Sequence, residues 1–522
     1  MPQWAKIALV FYVCFMFIRK KVNASGSTSI QIVQKVKRKN RIVKVIGSSR
    51  VADEIEVLYH AGLAEIKILQ HATEIPFYQN LEQQFVQDFT SSIQQLQLVG
   101  PELLLGKLFD DLGFGAITDD LFRHLVITRL VYPVSKLKTV DYLARYKGIQ
   151  LSVYSIYRYL DKLQKHQIEQ VKSISLKHTL QLFAGVMSIV FYDVTTLYFE
   201  TKEEDDFKRM GFSKDGKHQQ PQIVLGLLVS QDGYPLDYDV FEGDKYEGDT
   251  LIPIIEHFVT KHKPEQLIVV ADAGLLSQKN IEALIAKQYQ YILGARIKNE
   301  SKALTGKILS LQLTDEQSVS LDREDGSKLI VSYKKARAVN DFKNRQRGLE
   351  KLEKKIKSGK LTKQHINNKG YNKYLKIKGE ATISIDKEKY KQDKQWDGLK
   401  GYRTNTALAK EEVIKQYHQL WTIEKTFRIS KHDLQIRPIY HQLKKRIEAH
   451  ICIAFAACKI YKELERQLRE MKTGQSPEQV LDILKTILKV EFKTPYSNKI
   501  YQKLILKTDE QKALATQFNL KL

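Results

Sequence analysis

The amino-acid sequence predicts an α/β protein: a strand-and-helix layer with a large basic insertion, preceded by a small β domain and an α-helical region. Three observations predict this class. Short alternating strands come first, helical periodicity follows, and three successive strands then give way to alternating helices and apolar strands. The 522 residues are enough for several domains, each with its own core.

The composition indicates a folded and strongly basic chain. Lys and Arg number 84 against 60 Asp and Glu, a net charge of +24, and 43% of the residues are hydrophobic. This balance excludes disorder or collagen-like repetition of the whole chain. A positive surplus of this size favours a polyanionic partner, either nucleic acid or an anionic membrane surface.

The first residues have two interpretations. Met16 opens a strand-like segment, so residues 1–15 could be a mis-called start upstream of the real protein. The alternative is a weak signal peptide, because residues 7–18 are apolar but too few to cross a bilayer. The cysteines Cys14, Cys452 and Cys458 form no zinc-ligand pattern, which predicts a reducing compartment and no structural zinc. We expect a cytoplasmic, nucleoid-associated location.

The N-terminal part is expected to be β and then α. Residues 16–48 form a small domain with strands at 17–22, 29–36 and 41–46. Residues 49–182 show helical periodicity, and we expect this region to bind DNA. Within it, Ser135 and Ser152 are placed to cap two helices separated by Gly148, the pattern of a helix-turn-helix. A plain packing role for this helix pair is equally compatible with the pattern.

Residues 183–295 have the order of a ribonuclease H-like layer. An apolar run at 186–194 ends at Asp193, and strands at 223–229 and 236–241 follow as an antiparallel meander. A helix then reaches residue 262, the strand at 267–271 ends at Asp272, Ser277 begins a helix, and a strand covers 289–293. These residues are the first part of the predicted layer.

A basic insertion subdomain is expected at 296–403. Residues 334–400 contain 21 Lys and Arg against 8 Asp and Glu. Their surplus of +13 is more than half of the chain's net charge of +24. A solvated helical hairpin with flexible lysines would explain this, but the position between two candidate catalytic segments favours contact with a nucleic-acid backbone. Residues 404–470 would complete the layer with helices at 407–432 and 441–470, and 471–522 would form a basic helical C-terminus.

Acidic residues in three separate segments are the candidate site. Asp193 and Asp272 close buried strands, where an unpaired charge is costly without a cation. Tyr417, Glu424 and Lys431 are seven residues apart and would share one helical face. Each segment taken alone has a plainer explanation. The two Asp residues could be turn residues, and Glu424 could form an ordinary surface ion pair with Arg428, four residues later.

Two further side chains belong to the same helix. Arg428 lies on the face of Glu424 and is a candidate phosphate ligand. Trp421 could stack on an extruded base, but its neighbour Phe427 favours a place in the core.

The segments FYDVTTLYFE, LIVVADAG and YHQLWTIEKTFRISKHDLQIRPIYH resemble the three catalytic segments of DDE insertion-sequence transposases. The resemblance is to the class with the signature Y-x2-R-x3-E-x6-K, and it covers residue 16 to the C-terminus. It implies that Asp193, Asp272 and Glu424 bind metal and that Tyr417 and Lys431 are the signature Tyr and Lys. Leu420 occupies the position of the signature Arg, and Arg428 could substitute for it.

The chemistry of three carboxylates is compatible with the metal binding that the resemblance implies. Clustered carboxylates repel one another and favour hard divalent cations, hence two Mg²⁺ ions with Mn²⁺ as substitute. The expected reaction is cut-and-paste transposition: nicking at the terminal inverted repeats, then transfer of a 3′-hydroxyl to target DNA by a homodimer. Tyr417, Arg428 and Lys431 would hold DNA phosphates.

Two other functions remain open from the sequence. A decayed or repurposed copy would bind DNA through residues 16–180 without catalysis, which the basic surplus and Leu420 would both allow. A ribonuclease H-like repair nuclease is the second, and the large basic insertion disfavours it.

Overall fold

The computed structural model describes residues 16–36, 38–71, 76–183, 188–213, 216–359, 361, 367, 370–378, 382–494 and 499–520. The mis-called start or signal peptide predicted at 1–15 lies outside these residues, as does Cys14. The chain divides into two compact units, residues 1–95 with 491–502 and residues 96–490 with 503–522.

The first unit is built on an antiparallel three-stranded sheet. Its strands are β1 (Met16–Val22), β2 (Thr28–Val36) and β3 (Lys39–Ser49), with β2 in the centre. Helix α1 (Ala52–His71) packs on this sheet and covers the buried side chains of the central strand, and α2 (Pro76–Ser92) follows. The three strands predicted from alternation are confirmed.

The helical region agrees closely with the predicted caps. Ser135 accepts a hydrogen bond from the N–H of Lys138 and begins α5, and Ser152 caps α6 in the same way. Gly148 adopts φ +70° between the two helices, a left-handed conformation that glycine adopts without a steric penalty. The elements of this region are β4 (Ile93–Leu98), α3 (Lys107–Asp111), α4 (Asp120–Val131), α5 (Lys136–Tyr142), α6 (Val153–His166) and α7 (Ile168–Leu182).

A mixed eight-stranded sheet forms the centre of the second unit. Its first part contains β5 (Ile189–Tyr198), β6 (Gln222–Val229), β7 (Pro235–Glu242), α8 (Leu251–His262), β8 (Ile268–Ala271), α9 (Gln278–Ala286), β9 (Gln290–Ala295) and α10 (Lys302–Ser310). The chain then continues with β10 (Ser318–Asp322), β11 (Lys328–Tyr333), α11 (Lys335–Lys357), β12 (Leu375–Lys378), β13 (Thr382–Ile385), α12 (Lys387–Lys394) and β14 (Leu399–Thr404). Of these strands, β12 and β13 pair with each other in a separate two-stranded sheet.

The strand order is β10-β11-β14-β9-β8-β5-β6-β7. Strands β5, β8 and β9 are parallel, and the flanking pairs are antiparallel. The predicted meander is therefore confirmed. Strands β10, β11 and β14 lie within the segment expected to interrupt the layer, yet they extend the same sheet, because β14 pairs with both β9 and β11.

The remaining elements are helical around the sheet and mixed at the C-terminus. They are α13 (Lys410–His418), α14 (Trp421–Arg428), α15 (Lys444–Glu470), α16 (Pro477–Leu484), β15 (Leu488–Lys493), β16 (Ile500–Ile505) and α17 (Asp509–Gln517). Helix α15 is buried almost completely from residue 449 to 464 and packs against α4, α6 and α7. Its two cysteines, Cys452 and Cys458, are buried and free.

The predicted helical C-terminus is wrong in part, because two strands lie within it. The segment 488–493 alternates apolar and polar residues, the period-two pattern of a strand, and this signal outweighs the surrounding helical composition. In the described part of the chain, every helix is too short or too polar to cross a membrane.

Candidate active site

The two candidate aspartates lie next to each other at the point where the pairing of β5 with β8 ends. Strands β5 and β8 are parallel, and Tyr192 pairs with Ala271, so Asp193 and Asp272 are the next residues on neighbouring strands. Adjacent strands are about 4.8 Å apart, which brings the two backbones close together. The register therefore brings the two candidate aspartates to neighbouring positions in the fold.

The position of Asp193 differs from the prediction in one respect. Strand β5 does not end at Asp193 but continues to Tyr198, because its antiparallel pairing with β6 extends from Phe191 to Tyr198. Only the parallel pairing with β8 stops after Tyr192. Asp193 thus lies in the middle of a strand, and the backbone N–H of Val194 donates to its carboxylate at 2.8 Å.

The face of the sheet that carries Asp193 is covered by α13 and α14. Residues alternate between sheet faces, and Phe191 and Leu197 of β5 pack in the same cluster as Tyr417 of α13 and Phe427 of α14. Asp193 has the same parity as Phe191 and Leu197. The helices with the third candidate acid therefore lie on the aspartate side of the sheet.

A buried tyrosine holds Asp272. Tyr417 is 5% exposed, and its hydroxyl donates to Asp272 Oδ1 at 2.8 Å. Burial and the charge of Asp272 both raise the pKa of Tyr417, so the phenol stays protonated and remains a donor. The backbone N–H of Ala273 donates to the same hydroxyl, which fixes its position.

Gly294 on β9 makes room for this contact. A Cβ at this position would lie 2.3 Å from the Tyr417 hydroxyl and 2.9 Å from the backbone nitrogen of Ala273. Both distances are shorter than van der Waals contact allows. Any larger residue at this position would displace the tyrosine from Asp272.

The long helix predicted over 407–432 is divided between α13 and α14. Gln419 and Leu420 donate to residues three positions earlier, as do Thr422 and Ile423, which tightens the winding between the two helices. Tyr417 consequently belongs to α13 and Glu424 to α14, and Lys431 lies in a π-helical turn, Ile429–Asp433. The single shared face expected from the seven-residue spacing is therefore interrupted.

Glu424 and its neighbours on α14 are largely open to solvent. Glu424 and Arg428 are exposed, and Lys431 is half-buried. Trp421 is 60% exposed, so the expectation that it packs in the core is wrong. The apolar side of α14 is formed by Ile423 and Phe427 instead, and Leu420 is half-buried at the start of the helix.

Lys400 is a site residue that the sequence interpretation missed. Its Nζ lies 4.4 Å from the centroid of the Tyr417 ring and 5.6 Å from that of Tyr402. Burial lowers the pKa of Lys400, and so do Arg337 and Lys334, whereas the charges of Asp272 and Glu424 oppose this. Lys400 is thus a half-buried cation close to two of the three candidate acids. The alternation of Lys400 and Tyr402 on one face of β14 was the available signal.

The described residues contain no group of three or more His, Cys, Asp or Glu side chains arranged to hold a metal ion. The register places Asp193 next to Asp272, and α14, which carries Glu424, contacts β5. Carboxylate oxygens are the donors that Mg²⁺ and Mn²⁺ prefer, so the donor set suits either ion.

Comparisons with known proteins give the family. No curated protein matches the chain. The similar solved structures include a piggyBac transposase synaptic complex with hairpin DNA, at 9% identity and a TM-score of 0.37, covering 70% of this chain and 69% of that chain. A Mos1 transposase paired-end complex with the left transposon end has 11% identity and a TM-score of 0.15, covering 30% of this chain and 53% of that chain.

A second Mos1 structure, a mariner paired-end complex with Mn, has 12% identity and a TM-score of 0.15, covering 30% of this chain and 54% of that chain. The family model described as "Transposase DDE domain" matches residues 184–458, more than half of the chain. The matched range contains the parallel strands with Asp193 and Asp272 and the helix with Glu424. The chain therefore belongs to the family of transposases with a DDE domain.

Proposed function

We propose that this chain is an active transposase that cuts the ends of an insertion sequence and joins them to target DNA. The observation that carries the proposal is the register of β5 and β8, which puts Asp193 and Asp272 side by side under the helix with Glu424. Three acids on one side of a sheet, in a chain with a net charge of +24, suit chemistry on a polyanion.

In the proposed site, Asp193, Asp272 and Glu424 would hold two Mg²⁺ ions, or Mn²⁺ as substitute. When bound, the ions supply activation of the attacking oxygen and stabilisation of the leaving oxygen. Tyr417 orients Asp272 through its hydrogen bond, and Lys400 presents a cation next to Asp272 and Glu424. The phosphate-binding role of Tyr417 stays a prediction.

Two cations that follow Glu424 along the chain would bind the DNA backbone. Arg428 is exposed on α14, four residues after Glu424, and Lys431 follows in the next turn. Their charges suit phosphate oxygens, and they would hold the strand while water breaks a P–O bond to leave a 3′-hydroxyl and a 5′-phosphate. That hydroxyl would then attack a target phosphodiester: a new P–O bond forms to the target's phosphorus, the target strand's own P–O bond breaks, and its 3′-oxygen leaves as a hydroxyl.

The finer classification follows the sequence. We assign the chain to the class with the Y-x2-R-x3-E-x6-K signature, with Leu420 in place of the Arg, and the parts 183–295 and 404–470 to a ribonuclease H-like layer. The helical region 49–182 and the basic subdomain 296–403 would contact DNA, while the small β domain 16–48 and the C-terminal part 471–522 flank them. A homodimer acting on terminal inverted repeats in the nucleoid completes the proposal.

Metal-dependent nicking of the element's terminal repeats tests this function. We expect wild type to nick with Mg²⁺ and Asp193→Asn, Asp272→Asn and Glu424→Gln to lose at least about 10³-fold in rate, since each removes a metal ligand. Glu411→Gln is the matched control: it also removes an exposed glutamate charge, but on the first turn of α13.

Equal nicking rates in the wild type and in all three acid variants would contradict the assignment of the acids. Intact binding of the repeats without nicking by the wild type would instead favour the decayed, DNA-binding alternative.

A further inference from the structure

A cationic cavity lies apart from the three acids in the second unit. Its volume is about 380 Å³, and it is formed by the connection between α4 and α5 and by the chain before α15. Among the described residues, those that line it include several cations and no Asp or Glu. The basic side chains are Arg129, Lys136, Lys138, Arg437, His441 and His450.

Two of these cations are buried without an acidic partner. Arg129 and Lys136 are each 6% exposed. In the described part of the chain, Arg129 contacts only neutral acceptors, the carbonyl of Leu434 and Nδ1 of His450, both at 3.5 Å, and Lys136 forms no ion pair. Burying a charge without a counter-charge costs free energy of folding. An anion bound in the cavity would supply the counter-charge and reduce that cost.

The pKa values of several basic side chains around the cavity are lowered. Burial and the charge of Arg129 lower the pKa of Lys136 well below its usual value. Burial, Lys136, Arg129 and Arg446 lower the pKa of His441 to about 3, and the pKa of His450 is also strongly lowered. Burial is the main cause of these shifts, and the charges of Arg129 and Lys136 add to it, in a lining that among the described residues contains no Asp or Glu.

The segment that lines the cavity contacts the end of β5, the strand that carries Asp193. The N–H of Ile439 donates to the carbonyl of Tyr198 at 3.1 Å, and the guanidinium of Arg437 lies 5.8 Å from the Tyr198 ring. Tyr198 ends the strand that carries Asp193, five residues earlier. At about 3.3 Å per residue, Asp193 lies about 17 Å along β5 from Tyr198. This distance is the axial length of about five nucleotides of one DNA strand.

We propose that this cavity binds a phosphate group of the DNA strand whose cleavage site lies at the acids, with Arg129 and Lys136 as its ligands. An arginine fork and a lysine point charge are the side chains that most often bind phosphate oxygens. The assignment to DNA rests on the proposed function. The same chemistry would accept inorganic phosphate, and the experiment separates the two sources.

Lys136→Met is the decisive variant, because it removes an unpaired buried charge and should leave the protein as stable as wild type. Its matched control is Lys177→Met, which removes an exposed lysine on α7 that does not line the cavity. Binding to a duplex of about 30 base pairs is measured in EDTA at several salt concentrations, and binding of inorganic phosphate is measured by calorimetry.

We expect Lys136→Met to reduce the slope of log K against log salt by about one and to abolish phosphate binding, while Lys177→Met retains phosphate binding. Loss of phosphate binding with an unchanged salt slope would overturn the assignment to DNA. Unchanged phosphate binding would overturn the site itself. Because EDTA prevents nicking, failure of the proposed catalysis would leave these results unaffected.

Discussion

At the scale of single residues, Lys400 is a cation that lies near the candidate acids at a cost to folding. Its ammonium is half-buried over the ring of Tyr417, and its pKa is lowered chiefly by burial. A group whose charged form is disfavoured in the folded state contributes little to stability. The proposed function gives this cation beside Asp272 and Glu424 a role that stability does not.

We expect Lys400→Met to slow nicking by about 10²-fold, because it removes a cation from the place where phosphate charge would develop. The free energy of unfolding should be unchanged or higher, since methionine avoids the burial of a charge. Nicking rates and urea unfolding of the same preparations measure both effects. The matched control is Lys307→Met, an exposed lysine on α10. A folded variant with the wild-type rate would contradict this role.

At the scale of elements, the features that depend on local sequence, such as helix caps, were predictable. The caps Ser135, Ser152 and Ser277 begin helices as predicted, because a hydroxyl satisfies an amide at the first turn regardless of the surroundings. Asp193 was placed at a strand end because the apolar run stops there. Its strand continues since β6 supplies partners beyond Asp193, which no local pattern shows.

Elements of the site itself were only partly predictable. The apolar runs predicted that Asp193 and Asp272 follow strands of one sheet, but the order β5, β6, β7, α8, β8 does not show that β5 and β8 are parallel neighbours. Lys400 was not predictable either, since β14 reaches the sheet only after a long excursion and pairs with β9 by tertiary contact. The tightened winding at Gln419 and Leu420 also lacks a glycine or proline signal, so the shared helical face was overestimated.

A buried ion pair joins α7 to β7 and gives a prediction at this scale. Lys172 Nζ lies 2.9 Å from Asp237 Oδ1, with side chains 4% and 0% exposed. Burial lowers the pKa of Lys172, but the charges of Asp237, Asp239 and Glu169 outweigh it and the pKa is raised. Lys172→Met should reduce the free energy of unfolding by about 3–5 kcal/mol, because Asp237 would remain buried without its cation.

Chemical denaturation of Lys172→Met beside Lys177→Met measures this effect. The second variant removes an exposed lysine from the same helix and should change stability by less than about 0.5 kcal/mol. Equal stabilities of the two variants would show that the pair does not hold α7 on the sheet.

At the scale of the whole molecule, histidines with lowered pKa values make the free energy of unfolding depend on pH. Burial and Lys459 lower the pKa of His178 to about 4, and burial with Lys136, Arg129 and Arg446 lowers that of His441 to about 3. In the unfolded chain a histidine has a pKa of about 6.5. Below that pH the unfolded state therefore binds protons that the folded state does not accept.

We expect the free energy of unfolding to fall as the pH is lowered from about 6.5, until His178 and His441 titrate in the folded state near pH 4 and 3. At pH 5 each histidine should account for about 2 kcal/mol, since one pKa unit corresponds to about 1.4 kcal/mol. Urea denaturation at pH 7, 6 and 5 measures this fall, in a buffer without phosphate so that the cationic cavity next to His441 is not filled. The double substitution His178→Gln and His441→Gln should make stability less dependent on pH over this range, because glutamine does not titrate. A dependence as steep as that of wild type would show that other groups bind the protons.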